Sequence, residues 1–212
     1  MRYLPEALLN YLCLLGWSHP DEKDIFTLDE IVPLFDLERF IKSPALYDIQ
    51  KLNYFNAEHL KRKPVADLVA MASETIAKEH PFHAQSDEWK ETCLKFFVQK
   101  IQLIGELESQ IAVLFKTETE ASAEMNEIEG WETTSQMRNY LKEEVAKLGD
   151  NAFADAALFA AWGDHIKGEL KIKGKPLFKG MRAVLTGQAE GPDLKDIIPL
   201  TPASVLKKRL GA

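Results

Sequence analysis

The stretch Ser86-Asp87-Glu88-Trp89-Lys90-Glu91-Thr92-Cys93-Leu94-Lys95-Phe96-Phe97, running on through Ile104 and Leu107 to Leu114-Phe115, decides the fold class. Ser86 and Asp87 suit a helix start. Cys93, Phe97, Ile104, Leu107, Ile111 and Leu114 then recur at spacings of three and four, the period of one helix face, with Lys100 alone interrupting the ladder. The pattern predicts the longest helix in the chain. Lys100 reads equally well as a lysine that lays its methylene stem along the ladder and reaches water, or as a residue with a task of its own.

The same period extends in both directions. Towards the carboxy terminus, Glu118 to Glu132 carries six glutamates and no cation, which predicts a solvated connection or a frayed helix. Met137, Leu141, Val145 and Leu148 predict a helix stopped by Gly149, and Phe153, Ala157, Ala160 and Trp162 another stopped near Gly163. Towards the amino terminus, His80-Pro81-Phe82-His83 is a joint, preceded by a helix over 65–78. Tyr47, Leu52, Phe55 and His59 mark one face of a helix that ends at Lys61-Arg62-Lys63-Pro64. Lys42-Ser43-Pro44 breaks the pattern, Asp36 caps a short turn, and Thr27 with Glu30 forms a capping box opening a short helix through Phe35.

Pro5, Ala7, Leu8, Tyr11, Leu12 and Leu15 make the first helix, into which Met1-Arg2 runs directly, as though the chain opened inside a larger structure. Leu8, Leu12 and Leu15 are therefore expected to form an apolar face for a further surface. No strand pattern of comparable length occurs, so the expected fold is all-α, in two packed helical subdomains with a boundary between residues 63 and 85.

Composition narrows the function. A chain of 212 residues, 46 % hydrophobic and 28 % charged, can bury a substantial core, and its net charge of −7 excludes an overall basic coat for nucleic-acid binding. Any RNA contact must use a local patch. Cys13 and Cys93 lie eighty residues apart in apolar helical patterns, giving neither a disulfide framework nor metal-ligand spacing. No apolar run has membrane-spanning length and no signal segment is visible, so a cytoplasmic monomer without membrane contact is expected. His19, His59, His80, His83 and His165 include one close pair, in a proline-containing joint, and no metal site is expected. Trp17, Trp89, Trp131 and Trp162 sit among apolar neighbours and read as core. There is no nucleophile elbow, no phosphate-cradling glycine loop and no Cys-x-x-Cys, so no catalytic residue is assigned.

From Lys167 to Arg182 the charge reverses. Lys167, Lys171, Lys173, Lys175, Lys179 and Arg182 oppose only Glu169, and Gly168, Gly174 and Gly180 allow close backbone approach. Clustered ammonium groups suit phosphates through release of condensed counterions. Composition alone leaves a solvated basic loop as an equal alternative.

Two groups of residues carry a resemblance. Tyr3 to Gly16 with Trp17-Ser18-His19, then Phe26-Thr27-Leu28-Asp29-Glu30, Phe35-Asp36, Lys42-Ser43-Pro44-Ala45, Asp48 and Lys51-Leu52, resemble bacterial-type glutamyl-tRNA synthetases just after their catalytic domain. Lys173-Gly174-Lys175-Pro176-Leu177-Phe178, Arg182-Ala183-Val184-Leu185-Thr186-Gly187 and Gly191-Pro192-Asp193-Leu194 resemble the anticodon-reading end of the same enzymes. Together they bracket nearly the whole chain. The middle, from about residue 64 to 165, matches mainly in helical pattern and length.

The resemblance implies that residues 1–70 form a helical stem-contact or linker domain and 71–212 an α-helical anticodon-binding cage. It places Arg182, Gly191, Pro192 and Leu194 against the first anticodon bases. Arg182 as a structural ion pair and Pro192 as an ordinary turn remain the plain alternatives. Lys171, Lys173, Lys175 and Lys179 become candidate phosphate contacts, and Lys100 falls where many of these enzymes carry an arginine that reads the third anticodon base. The implied partners are glutamate tRNA, with glutamine tRNA as a further candidate, and the catalytic domain of the same enzyme.

The family's ATP-binding motifs are not found. No cofactor is therefore expected in this chain, which alone should be inactive; ATP and magnesium would belong to the catalytic part of a glutamate–tRNA ligase. The rival reading is a stand-alone helical interaction module, using the acidic Glu118 to Glu132 stretch or the first helix to grip a protein.

Overall fold

In the computed structural model, which describes residues 3–40 and 46–211, every regular element among those residues is helical. Extended pairing there is confined to two isolated bridges, Trp17 with Phe40 and Phe153 with Pro202. The all-α expectation is met; the break expected at Lys42-Ser43-Pro44 lies outside the described residues. The chain separates into two compact units, Met1–Gln110 and Ile111–Ala212.

In the first unit, α1 (Pro5–Gly16) starts with Pro5 in its first turn, where a missing N–H costs nothing. Its buried side is Ala7, Asn10 and Tyr11 rather than the leucines. Leu8 and Leu12 are 37 % and 61 % exposed, while Leu15 packs partly against Tyr11 and its neighbours. α2 (Leu28–Ile31) has the expected capping box, with Thr27 and Glu30 satisfying each other's backbone N–H, and Asp36 caps a 3₁₀ turn over 37–39. α3 (Ile49–Arg62) lays Leu52 and Phe55 on Tyr11. α4 (Val65–Thr75) stops three residues short of Lys78, because Ile76 turns extended and buries while Ala77 N–H finds the Glu108 carboxylate at 3.0 Å. The proline joint is a 3₁₀ turn, Pro81–Ala84, capped by His80.

The ladder beginning at Ser86 does not make one long helix. α5 (Asp87–Phe97) passes through a 3₁₀ turn at 98–100 into extended backbone, and a second 3₁₀ turn leads to α6 (Leu107–Ile111). Ile101 and Leu103 are both buried, which backbone of period two achieves. The backbone groups this frees are satisfied by side chains: Gln102 O accepts from Asn56 Nδ2 at 2.5 Å, and Gln102 N–H donates to Glu106 at 2.9 Å.

Asn10 ties this unit together. Its Oδ1 accepts from Phe26 N–H and from His59 Nε2 at 3.0 Å, while its Nδ2 donates to Asp24 O. Burial, helped by the nearby Arg62 charge, pushes the His59 pKa below its ordinary 6.5. The folded state thus resists a proton that the unfolded chain accepts, and stability is lost as pH falls below about 6.5. Denaturation of the chain should show a lower midpoint at about pH 5.5 than at about pH 7, and His59→Gln should flatten that difference, as followed by circular dichroism.

In the second unit, α7 (Ala123–Glu129) buries Met125 and Ile128, and α8 (Glu132–Ala146) buries Met137, Leu141 and Val145 as the spacing predicts. α9 (Ala156–Gly168) runs through Gly163 instead of stopping there, and Phe153 lies outside it, bridged to Pro202. α10 (Gly174–Thr186) is the central element, packed against α7, α8 and, beyond α11 (Leu194–Ile197), α12 (Ala203–Leu210). Gly180 permits the α8–α10 approach: a Cβ there would lie 3.3 Å from Thr134 Oγ1 and 2.2 Å from Met137 Cε.

Candidate nucleic-acid interface

The basic stretch is partly a helix face. Lys175, Lys179 and Arg182 stand four and three residues apart on α10, so they share one side, while Lys171 and Lys173 precede the helix. Between these two, Ile172 is buried, and the alternation turns both lysines outward. Lys171 is held in the left-handed region, φ 56°, a strained setting for a side chain with a Cβ.

These cations differ in availability. Lys179 Nζ pairs with Glu124 Oε1 at 2.7 Å, which raises the lysine pKa and lowers that of the carboxylate. Lys175 Nζ lies 5.9 Å from the centroid of the Trp131 ring. Trp131 is thereby a half-buried ring at the edge of the Met125–Ile128–Ala183–Ala189 cluster, unlike Trp17, Trp89 and Trp162, which are core as expected.

The acidic stretch is solvent-exposed, as expected, but it is more than a connection. Besides the Glu124 pair, Glu129 holds Arg138 at 2.5 Å, and Glu120 binds the 187–189 turn through its N–H to Gly187 O at 2.7 Å and its carboxylate to Ala189 N–H. Its glutamates oppose the cations of α8 and α10, a complementarity that spacing along the chain does not display.

The turn so held leads into Gly191-Pro192. Arg182 Nη1 donates to Pro192 O at 2.8 Å, and Gly191 adopts φ +147° with an added Cβ 3.3 Å from that same nitrogen. A side chain at 191 would therefore be both strained and crowded against the guanidinium. Burial pushes the Arg182 pKa down, opposed by the charges of Asp193 and Glu190. Leu194 begins α11 and is buried, with Asp193 as its N-cap. Arg182, Gly191, Pro192 and Leu194 are thus brought together, at one end of a cleft of about 590 Å³ between α9, α10 and the turn, whose lining includes Phe159, Lys167, Leu177, Phe178, Lys179 and Glu190.

Lys100 belongs to the other unit. It is exposed at the end of the 3₁₀ turn after α5, with Nζ 4.8 Å from the Phe96 ring centroid, rather than lying on a continuous helical ladder. Sequence reasoning did not single out Phe178, Glu190 or Arg209. Phe178 stands within a resembling stretch and Glu190 directly before one; Arg209 had no such signal. Among the described residues no three His, Cys, Asp or Glu side chains come together as a metal cluster, and no helix is long and apolar enough to cross a membrane.

Residues 65–212 match the family of anticodon binding domains, and residues 1–54 match the class I tRNA synthetase (E and Q) catalytic domain family. The chain belongs to the anticodon-binding domain family. It is 30 % identical over 214 residues to glutamate--tRNA ligase 1 of Caldicellulosiruptor saccharolyticus, covering 98 % of this chain and 43 % of that protein. It is 33 % identical over 198 residues to glutamate--tRNA ligase 1 of Fervidobacterium nodosum, covering 93 % and 39 %. A crystal structure of a glutamate tRNA ligase from Elizabethkingia meningosepticum, in complex with its amino acid, matches with a TM-score of 0.84 at 20 % identity, over 99 % of this chain and 40 % of that one. That last likeness concerns the fold. The chain spans about two fifths of the length of the relatives it matches.

Proposed function

We propose that this chain is the tRNA-binding part of a glutamate–tRNA ligase, the enzyme that joins glutamate to its tRNA at the expense of ATP. The observation that carries the proposal is the cleft where Arg182 is pinned against the Gly191-Pro192 turn. A planar donor fork and an apolar wall suit unstacked bases. Lys171, Lys173 and Lys175 contact phosphates and set register, with Lys179 joining them only by loosening Glu124. Residues 1–70 contact the stem and link to the catalytic part; residues 71–212 hold the anticodon. The packing itself divides the chain elsewhere, at 110/111.

Exposed Leu8 and Leu12 face the rest of the enzyme in this reading. The chain acts as a cytoplasmic monomer. ATP and magnesium belong to the catalytic part of the enzyme in this reading. Two glutamates of the acidic stretch are already paired, Glu124 with Lys179 and Glu129 with Arg138, which favours the RNA reading over a protein-gripping one.

Competition binding with glutamate tRNA and anticodon variants tests the assignment. Arg182→Ala should weaken the cognate RNA by about tenfold and variants altered in the first bases by less. In the same assay Lys100→Gln should bring glutamate and glutamine tRNAs, which differ at the third base, towards equal affinity. Loss of affinity that ignores anticodon sequence would make Arg182 a structural residue, and an unchanged ratio with Lys100→Gln would remove Lys100 from the site.

A further inference from the structure

One asparagine joins the turn that carries Lys100 to the start of α1. Asn56 is fully buried on α3, and both ends of its amide reach out of that helix. Its Oδ1 accepts from Leu4 N–H at 2.7 Å, and its Nδ2 donates to Gln102 O at 2.5 Å. Leu4 is the N-cap residue of α1 and brings no side-chain cap of its own. Gln102 stands two residues after Lys100, between the two 3₁₀ turns that follow α5.

Each of the two segments has a second hold. Three residues before Asn56 on α3, Asn53 Oδ1 accepts from the Tyr3 hydroxyl at 2.6 Å, so Tyr3 and Leu4 are both fastened to α3. On the other side the Glu106 carboxylate accepts from Gln102 N–H at 2.9 Å, and buried Ile101 and Leu103 flank that residue. The exposed Lys100 leads into this braced segment. A planar amide is rigid, and hydrogen bonds weaken steeply as they lengthen beyond about 3.2 Å. Motion of the Gln102 segment therefore disturbs the hold on Leu4, and quieting it strengthens that hold.

We propose that Asn56 is a positioning residue that couples RNA contact at Lys100 to the order of the first turn of α1. This rests on the reading of Lys100 as an RNA contact and adds what that contact does elsewhere. A base seated against Lys100 stills the 98–106 segment, Gln102 O then fixes the Asn56 amide, and the amide fixes Leu4 N–H. No change of shape is required, because a segment already ordered by one ligand leaves less freedom to be lost at its neighbour. Residues 1–54 match the catalytic-domain family, so the turn made orderly lies in the part of the chain most closely tied to catalysis in relatives of this kind. The coupling is reciprocal: whatever fixes the start of α1 tightens RNA binding by the same factor.

Amide hydrogen exchange, read by NMR on the isotope-labelled chain free and saturated with a stem-loop RNA bearing the glutamate anticodon, tests the proposal. In the unaltered chain the RNA should slow exchange at Gln102 N–H and, about fivefold, at Leu4 N–H. Glu106→Ala, which releases Gln102 on its far side, should leave Leu4 exchange in the free chain unchanged and remove most of the RNA-induced slowing there. Asn56→Leu should abolish that slowing; should this buried variant fail to fold, Glu106→Ala decides alone. Tyr3→Phe, which loses only the Asn53 bond, should speed Leu4 exchange with and without RNA and keep the fivefold ratio, as a merely structural contact does. Slowing at Gln102 with none at Leu4 overturns the coupling and spares the RNA reading. Leu4 slowing that survives in either Glu106→Ala or Asn56→Leu overturns the role of Asn56. If the RNA binds without slowing Gln102, Lys100 is no contact and the proposal falls with it; if no RNA binds at low salt, the RNA reading itself falls.

Discussion

Replacing Arg209 by leucine is expected to cost the second unit roughly 3–5 kcal/mol, the largest single-residue effect in the chain. Arg209 lies near the end of α12, only 9 % exposed, and no carboxylate among the described residues pairs with it. Its guanidinium instead donates to three carbonyls: Nε to Lys116 O at 2.8 Å, Nη1 to Leu185 O at 2.7 Å and Nη2 to Val113 O at 2.5 Å. Leu185 lies in the last turn of α10 and Val113 in a 3₁₀ turn, where carbonyls lack intrahelical partners and carry the negative end of the helix dipole. Burial pushes the arginine pKa down to about 10, still far enough above neutrality for it to stay charged.

Leucine would bury the position but leave all three oxygens without donors, at about 1–3 kcal/mol for each buried group left unpaired, partly relieved by water entering. Arg209→Lys keeps the charge without the planar fork and should recover only part of the loss. Denaturant unfolding followed by circular dichroism and tryptophan fluorescence reads both variants. A shift below about 1 kcal/mol for the leucine variant would show that the carbonyls find other partners.

The second large effect is on RNA. Alanine at Lys171, Lys173 and Lys175 together should make the dependence of log affinity on log salt shallower by about 2, since each lost phosphate contact removes about 0.7–0.9. At 0.1 M salt that is on the order of 100-fold in affinity, taking ~1 M as the point where ion release contributes nothing. The loss should be alike for all tRNAs, because phosphates carry no sequence information. Lys179 is left out of this set because its ammonium already pairs with Glu124. Filter binding across a salt series checks the slope; an unchanged slope would return the stretch to a solvated basic surface.

Local chemistry made much of the fold legible. Pro5, the Thr27–Glu30 capping box, Asp36, and the Met137–Leu141–Val145 spacing each act within one or two turns of chain, and each stands where the sequence places it. The proximity of Arg182 to Gly191-Pro192 was legible through resemblance, and the structure gives it a hydrogen bond. The failures share one cause. The helix expected from Ser86 ends at Phe97, and Asn56, far away in sequence, donates to the Gln102 O that the break frees. The glutamates of 118–132 are exposed as expected, but the pairing of Glu124 and Glu129 was not legible because their counterions, Lys179 and Arg138, lie on other helices.

By itself, then, the sequence determined the helical class, most helix starts and the absence of a basic coat, since these depend on period, capping and charge within short segments, whereas the candidate base-reading residues were implied by resemblance. Tertiary structure alone decided which cations are free, which glutamates are clamps, where Arg209 finds its carbonyls, and that Phe178 and Glu190 face the same cleft as Arg182. Such properties depend on pairing between elements distant in the chain, where the energy of a hydrogen bond or ion pair is set by burial and geometry that no local pattern encodes.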